Sequence, residues 1–319
     1  MELIRGLYNL RSRHSDCAVT IGSFDGVHLG HQALLRQLAA AGRERELATT
    51  LVSFEPLPGE YFKRHDPPAR LTRLREKCEA LAQCPLDRLL CLRFDADMAR
   101  WPASAFIERI LIHGLGVRYL IVGADFRFGQ GRQGDVSLLR KSAAQSGFDL
   151  AVVRDVAVDG RRISSTAVRR ALAEGRLDDA RRLLGREYRM SGRVIVGDQV
   201  GRRLGFPTAN IAVGRPATAV HGVFAVRVSP AGSGSYDGVA SVGTRPTVDG
   251  RRLLLEVHLF DFDGDLYRKY LHVDFVTRLR DEARFASLEE MRQQMRADAD
   301  RARDVLRRQS GDHSSGYLE

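Results

Sequence analysis

The spacing of apolar residues changes once along this chain, near Leu184, and that change limits the folds open to it. Before Leu184, short apolar runs alternate with helical stretches. Ala18–Ile21, Thr49–Phe54, Arg118–Val122 and Leu150–Val153 read as buried strands. Between and after them, Ala33–Ala41, Leu71–Gln83, Pro102–Ile112 and Ala171–Leu184 repeat apolar residues at helical spacing. Strands separated by such helices imply an α/β domain with a parallel sheet covered on both faces. Ligands of such sheets bind beyond the carboxyl ends of the strands, so the loops after Ile21, Phe54 and Val122 are expected to carry chemistry.

After Leu184 the strand candidates follow one another directly: Tyr188–Val196, Val223–Val228, Gly238–Val242, Arg252–Phe262 and Leu271–Val276. Turn residues separate them, which is the pattern of an antiparallel barrel or sandwich. A last helix is expected over Leu288–Arg308, opened by a Ser287-x-x-Glu290 capping box. The 319 residues thus divide into a domain over 1–184, a second over 185–308, and a polar tail over 309–319.

A formal charge of +10 invites a nucleic-acid reading. Its distribution argues otherwise. Only Lys63, Lys77, Lys141 and Lys269 are lysines among 50 basic residues, and no run of five like charges forms a basic arm. Residues 1–184 hold 29 basic and 22 acidic residues, and the remainder holds 21 and 18. A diffuse positive field of this kind suits small anionic ligands, with no nucleic acid, no membrane and no obligate protein partner implied. The N-terminal stretch lacks the apolar run of a signal peptide, and Cys17, Cys78, Cys84 and Cys91 show no Cys-x-x-Cys pair. The cysteines read as reduced core residues and the compartment as cytoplasmic.

The first candidate site is Gly22-Ser23-Phe24-Asp25-Gly26-Val27-His28-Leu29-Gly30-His31-Gln32, which leaves a buried strand and enters a helix. Glycines permit close approach to a ligand, and a helix N-terminus favours phosphate. His28 and His31 are placed to donate to phosphate oxygens as charge develops. Two ordinary loop histidines are the alternative; a zinc pair lacks a third ligand at the right spacing. Ile163-Ser164-Ser165-Thr166-Ala167-Val168-Arg169 supplies hydroxyls and a guanidinium before another helix, where N-capping is also expected. The two segments together resemble the phosphate-binding pair of the nucleotidyltransferase superfamily.

Two motifs mislead. Gly129-Gln130-Gly131-Arg132-Gln133-Gly134 matches Gly-x-Gly-x-x-Gly with Asp155 about 20 residues on, but it does not directly follow a strand. Asp261-Phe262-Asp263-Gly264-Asp265 departs from a calcium loop in the position of its glycine and reads as a hairpin turn. No lysine sits in a Walker A pattern, so any kinase must use another cradle. Gly201-Arg202-Arg203-Leu204-Gly205-Phe206-Pro207-Thr208-Ala209-Asn210 is glycine-rich and basic. Thr208 and Asn210 offer hard oxygens suited to Mg²⁺, although a plain Pro turn is the simpler reading of the residues alone. Alternation sets Leu254, Glu256, His258 and Phe260 on one strand face, where Glu256 is either a base or an arginine's partner.

Taken over nearly its whole length, the chain resembles the bacterial bifunctional riboflavin kinase/FMN adenylyltransferase family. The likeness runs through Thr20–Gln32, Ser53–Pro58, Val122–Gly134, Ser164–Arg169, Gly201–Asn210, Gly243–Thr247, Leu255–Asp265 and Arg280–Phe285. It implies a Rossmann-like nucleotidyltransferase domain followed by a β-barrel kinase domain. It also implies ATP as co-substrate, Mg²⁺ as cofactor, and riboflavin, FMN and FAD as substrates and products. By resemblance, His28, His31 and Arg169 act in adenylyl transfer, with Gly22, Phe24, Gly30, Ser164, Ser165 and Thr166 around ATP. Phe62, Asp66, Asp125 and Phe128 become FMN-side candidates. In the kinase, Gly201, Arg203, Gly205, Phe206 and Pro207 would cradle ATP, Thr208 and Asn210 would hold the metal, and Glu256 would be the base. Arg280, Glu282 and Phe285 would face the flavin. The family's Phe-x-Pro-His-Pro reads Phe54-Glu55-Pro56-Leu57-Pro58 here, so no histidine serves at Leu57, and Ser23 replaces a common asparagine. Two rivals are a single-activity adenylyltransferase with a binding barrel, which Glu256 and Pro-Thr-Ala-Asn oppose, and an RNA-binding protein, which the missing basic arm opposes.

Overall fold

A parallel sheet and a closed barrel organise the computed structural model. It describes residues 1–154, 157–158, 161–197, 201, 204–215, 217–230, 234–247 and 250–314. The chain forms two compact units, 1–68 with 72–165, and 69–71 with 166–319.

In the first unit the order is β1 (Glu2–Arg5), β2 (Cys17–Ile21), α1 (Leu29–Glu44), β3 (Ala48–Glu55), α2 (Pro58–Phe62), α3 (Leu74–Leu81), β4 (Arg88–Arg93) and α4 (Ala96–Ala99). It continues with α5 (Ala103–Phe106, extended by a π-helical turn Ile107–Ile112), β5 (Tyr119–Gly123), α6 (Val136–Ser146), β6 (Asp149–Val153) and the short pair β7 (Ala157–Val158) and β8 (Arg161–Arg162). The six-stranded sheet runs β1-β4-β3-β2-β5-β6 with every pairing parallel. All five residues of β2 are buried, as a central strand covered on both faces requires. The chain leaves β2 for β3 on one side and later returns as β5 on the other. This strand reversal opens a crevice at the carboxyl ends of β2 and β5. α1 closes one face by burying Leu35, Leu38, Ala39 and Ala41.

In the second unit α7 (Ser165–Ala173, its first residue in the first unit) and α8 (Leu177–Leu184) precede the strands. The continuous helix expected over Ala171–Leu184 is broken at Gly175, whose φ of +72° no helix accommodates. The barrel strands are β9 (Tyr188–Ile195), β10 (Ala209–Ala212), β11 (Gly222–Pro230), β12 (Tyr236–Thr247), β13 (Gly250–Leu259) and β14 (Tyr270–Arg280). They close in the order β10-β13-β12-β11-β14-β9. Alternation sends Phe224, Val226, Val228, Leu255, Val257, Val273 and Phe275 inward. The apolar faces of α7 and α8 (Val168, Ala171, Leu172, Leu177, Ala180, Leu184) join that same core. Along this part of the chain the division between the compact units falls at Ser165/Thr166, whereas the change of texture in the sequence falls at Leu184.

A terminal helix, α9 (Leu288–Ser314), packs Ala299, Ala302 and Leu306 on Val223, Ala225, Val276 and Leu279 of the barrel's outer face. Glu290 N–H donates to Ser287 Oγ at 3.1 Å, the forward half of the expected capping box; Glu290 Oε2 accepts from Ala286 N–H instead. The helix extends beyond Arg308 into the stretch read as a polar tail. The turn expected at Asp263-Gly264 is not a hairpin, because β13 and β14 are not neighbours in the barrel. The tight connection joins β12 to β13, where Thr247 pairs with Gly250.

Leu38 is fully buried in the α1–sheet contact. Leu38→Ala is expected to cost about 2–5 kcal/mol, measured as a lowered denaturant midpoint.

Candidate active sites

Ile21 and Gly123, at the carboxyl ends of β2 and β5, open into a cleft of about 300 Å³. Gly22, Phe24, His28, Gly30, His31, Asp125, Ser164 and Ser165 line it, so the two phosphate-type motifs of the first unit share one wall. The connecting turn is strained. Phe24 and Val27 hold φ of 46° and 44°, a left-handed region that costs non-glycine residues about 1–3 kcal/mol each.

Buried polar contacts hold this turn. The Asp25 carboxylate, 1% exposed, accepts from Thr72 N–H at 2.8 Å and from Thr72 Oγ1 at 3.2 Å. Gly26 N–H donates to that same hydroxyl at 2.9 Å. Ser165 Oγ donates to the Asp25 carbonyl at 2.8 Å.

His28 is the N-cap of α1. Its Nδ1 accepts from His31 N–H at 3.3 Å, which leaves the proton of the neutral ring on Nε2. The His28 and His31 rings stack at 3.6 Å, and Phe24 stacks on the far side of His31 at 4.3 Å. Burial, then His28, then Lys77 hold the His31 imidazole well below its usual value. The ring is therefore neutral at pH 7 and able to donate an N–H without bearing charge.

Other first-site candidates lie elsewhere. Phe128 is buried in the core against Phe106 and Phe126, and it is Phe126 that lines the cleft. Asp125 lines the cleft and pairs with Arg162. Phe62 and Asp66 are exposed and do not line it; Phe62 sits edge-on to Tyr61 and Phe94. Thr166 is exposed and Arg169 Nε donates to the Ala69 carbonyl at 2.6 Å, both within the second unit. Leu57 is buried and caps α2. Gly129–Gly134 forms a closed loop pinned by reciprocal Phe128–Gly134 bonds of 3.1 and 2.9 Å, within the β5–α6 connection and not directly after the strand. Asp155, Arg202 and Arg203 lie outside the described residues. Burial pushes the Cys17 and Cys91 thiols up to about 11, so neither is a thiolate at neutral pH.

The second cleft, about 360 Å³, lies in the second unit on the outer face of the barrel beside α9. Phe206, Thr208, Glu256, Arg280, Glu282 and Phe285 all line it. Strand register explains the convergence: Glu256 on β13 is opposite Asn210 on β10 and Ser241 on β12. Thr208 stands two residues before Asn210 and so on its face. Glycines make room for these side chains. A Cβ on Gly197 would fall 2.3 Å from Asn210 Nδ2, and one on Gly243 would fall 1.9 Å from Glu282 Oε1. Gly201 accepts from Phe206 N–H at 2.8 Å, Gly205 sits exposed at φ +84°, and the Pro207 carbonyl accepts from His258 Nδ1 at 2.8 Å.

Two further lining residues are not singled out as site residues by the sequence, although alternation sets His258 on the face of Glu256. His258 holds the Pro207 carbonyl, and Asp298 on α9, 6% exposed, takes Arg280 in a bidentate pair of 2.9 and 2.6 Å. Gln294 adds a bond to Asp298 at 2.9 Å. Arg280 is thus aimed by the terminal helix.

The His31 shift has a sign. Below about pH 6.5 the unfolded chain takes up a proton that the folded chain refuses, so folding stability falls as pH drops through that value. Denaturant midpoints between pH 7.5 and 5.5 are expected to decline for the wild type and to decline less for His31→Gln. Gly243→Ala is expected to displace Glu282 and weaken turnover that depends on the second cleft at least tenfold, about the loss of one good polar contact to a ligand.

Known proteins bear on these two clefts. The FAD synthetase family model matches residues 10–167 and the riboflavin kinase family model matches 184–306. The bifunctional riboflavin kinase/FMN adenylyltransferase of Escherichia coli K12 is 48% identical over 96% of this chain and 98% of its own length. The Pseudomonas fluorescens protein of the same name is 46% identical over 95% and 97%. A solved Streptococcus pneumoniae chain, titled a macrolide-efflux protein, superposes with a TM-score of 0.80 at 28% identity, covering 93% of this chain and 97% of that one. No helix among the described residues here is long and apolar enough to cross a membrane. The chain belongs to the bifunctional riboflavin kinase/FMN adenylyltransferase family.

Proposed function

We propose that the second unit phosphorylates riboflavin to FMN and the first adenylylates FMN to FAD, each with ATP. The observation that carries the reading is the strand register that pairs Asn210 with Glu256, whose side chain lines the second cleft together with Thr208. In the kinase step Glu256 takes the proton of the ribityl 5′-hydroxyl as that oxygen attacks the γ-phosphorus of ATP, and ADP leaves. Phe285 packs on the flavin, and Arg280, held by Asp298, meets its polar edge.

Thr208 Oγ1, Asn210 Oδ1 and the Glu256 carboxylate present only oxygen donors, the set a hard divalent cation takes. Mg²⁺ held there by Thr208 and Asn210 would neutralise charge on the transferring phosphates.

In the adenylyl step a phosphate oxygen of FMN attacks the α-phosphorus of ATP, and the bond to the β-phosphate oxygen breaks to release pyrophosphate. His28 and neutral His31 donate N–H to the polyphosphate as charge moves onto it. The N-terminus of α1, with Ser164 and Ser165, completes the cradle, and Thr166 and Arg169 follow Ser165 on α7. Phe126 and Asp125 flank the FMN side. The substrates are small molecules of the cytoplasm, and the overall positive charge favours their capture.

Purified protein given riboflavin and MgATP is expected to yield FMN and FAD, resolved by chromatography; absence of both defeats the reading. Glu256→Gln and Asn210→Ala are each expected to lower FMN formation by about 10²-fold or more while FAD still forms from supplied FMN. His28→Ala is expected to do the reverse, by about 10²–10³-fold. Loss of both activities in either folded variant would contradict two separate sites.

A further inference from the structure

The turn between β2 and α1 rests on a buried ammonium that neither reaction step uses. Lys77 on α3 is 1% exposed and is not among the residues lining the first cleft. Its Nζ donates to the Ser23 carbonyl at 2.7 Å and to Ser53 Oγ at 3.3 Å, and Ser53 Oγ donates to the same carbonyl at 3.2 Å. Taking an ammonium out of water is costly, and apolar packing at this position would not need one.

Peptide geometry shows what the charge holds. The Ser23–Phe24 peptide is planar and trans, so its carbonyl and N–H point opposite ways. With the carbonyl drawn to Lys77, the Phe24 N–H turns away from α3. Phe24 is the strained residue at φ 46° that lines the cleft and stacks on His31. The lysine also acts on His31 through charge: with burial and His28, it disfavours the imidazolium. The other groups bearing on this region are Asp125, Arg154 and Arg162 along the cleft, and Glu55, Glu76, Cys78 and Cys91 around α3 and its neighbouring strands.

We propose that Lys77 is a positioning residue for adenylyl transfer: its ammonium fixes the Ser23–Phe24 peptide, and with it the Phe24–His31–His28 stack, and sets a positive charge behind the polyphosphate. The proposal rests on the adenylyl reading of the first unit. A buried charge is weakly screened by salt, so it acts on the leaving pyrophosphate without touching it.

The test is Lys77→Met in the full chain, with riboflavin phosphorylation by the same preparation as the internal control. FAD formation from FMN is expected to fall about 10–100-fold in kcat/KM for ATP while FMN formation is unchanged. Histidine-ring NMR should show His31 titrating at higher pH than in the wild type, while Lys77→Arg, which keeps the charge, leaves His31 depressed. An unmoved His31 titration, or unmoved FAD formation, overturns the proposal. Should Lys77→Met not fold, Lys77→Arg decides: retained charge should keep His31 depressed and FAD formation within about tenfold, and loss of either overturns it. Absence of FAD with wild-type protein instead overturns the adenylyl reading itself, and the proposal with it.

Discussion

The Asp25 carboxylate is the contact on which the first site depends. It is buried, it accepts twice from Thr72, and its own carbonyl accepts from Ser165. Three positions far apart in sequence thereby meet behind one turn. Together with the Lys77 and Ser53 contacts to the Ser23 carbonyl, they hold Phe24 and Val27 in a left-handed conformation that their side chains disfavour. That conformation in turn stacks Phe24, His31 and His28 at the carboxyl end of β2. A strained loop persists only where its surroundings over-determine it, and here the surroundings are polar, satisfied and dry.

The second site reaches preorganisation by a different route. Barrel closure fixes the register, and register alone brings Glu256 to Asn210 and Ser241. Room is then made by removing side chains: Gly197 yields space to Asn210, and Gly243 yields it to Glu282. Arg280 needs a third element, because a guanidinium at a strand end has many rotamers. Asp298 and Gln294 on α9 select one of them. The terminal helix is part of the site for that reason, beyond covering the apolar outer face of the barrel.

Much of this was legible in sequence, for physical reasons that also mark where legibility stops. Buried strands and amphipathic helices write their periodicity locally, so the parallel sheet and the run of barrel strands could be read directly. Arg88–Arg93 is flanked by arginines and Ala209–Ala212 is four residues long, and neither carries a clear period, so β4 and β10 were not anticipated. The helix broken at Gly175 shows apolar spacing outweighing a glycine whose φ only the fold reveals. Motif residues His28, His31, Ser164, Ser165, Thr208 and Glu256 fell on clefts because their spacing is tied to a strand end or a strand face. Phe126 and Phe128 differ by two residues in an irregular loop, where no period says which one faces the ligand. Lys77, His258 and Asp298 act through partners 18 to 54 residues away, and sequence spacing carries no trace of such contacts.

The arginine surplus acquires a narrower meaning from this architecture. Many arginines are engaged with nearby carboxylates: Arg176 with Glu174 and Asp179, Arg189 with Asp274, Arg280 with Asp298, Arg303 with Asp261. Most of these pairs are exposed and screened by solvent, so they add little to stability. Others are spent on carbonyls, as Arg169 is on Ala69 and Arg215 on Arg70 and Leu71. Within the first cleft even Arg162 is paired, with Asp125. Net charge therefore governs how readily an anionic nucleotide encounters the protein, while its recognition falls to oriented neutral donors, a helix terminus and one buried lysine. The two effects separate experimentally, since the long-range field fades with salt and the preorganised donors do not.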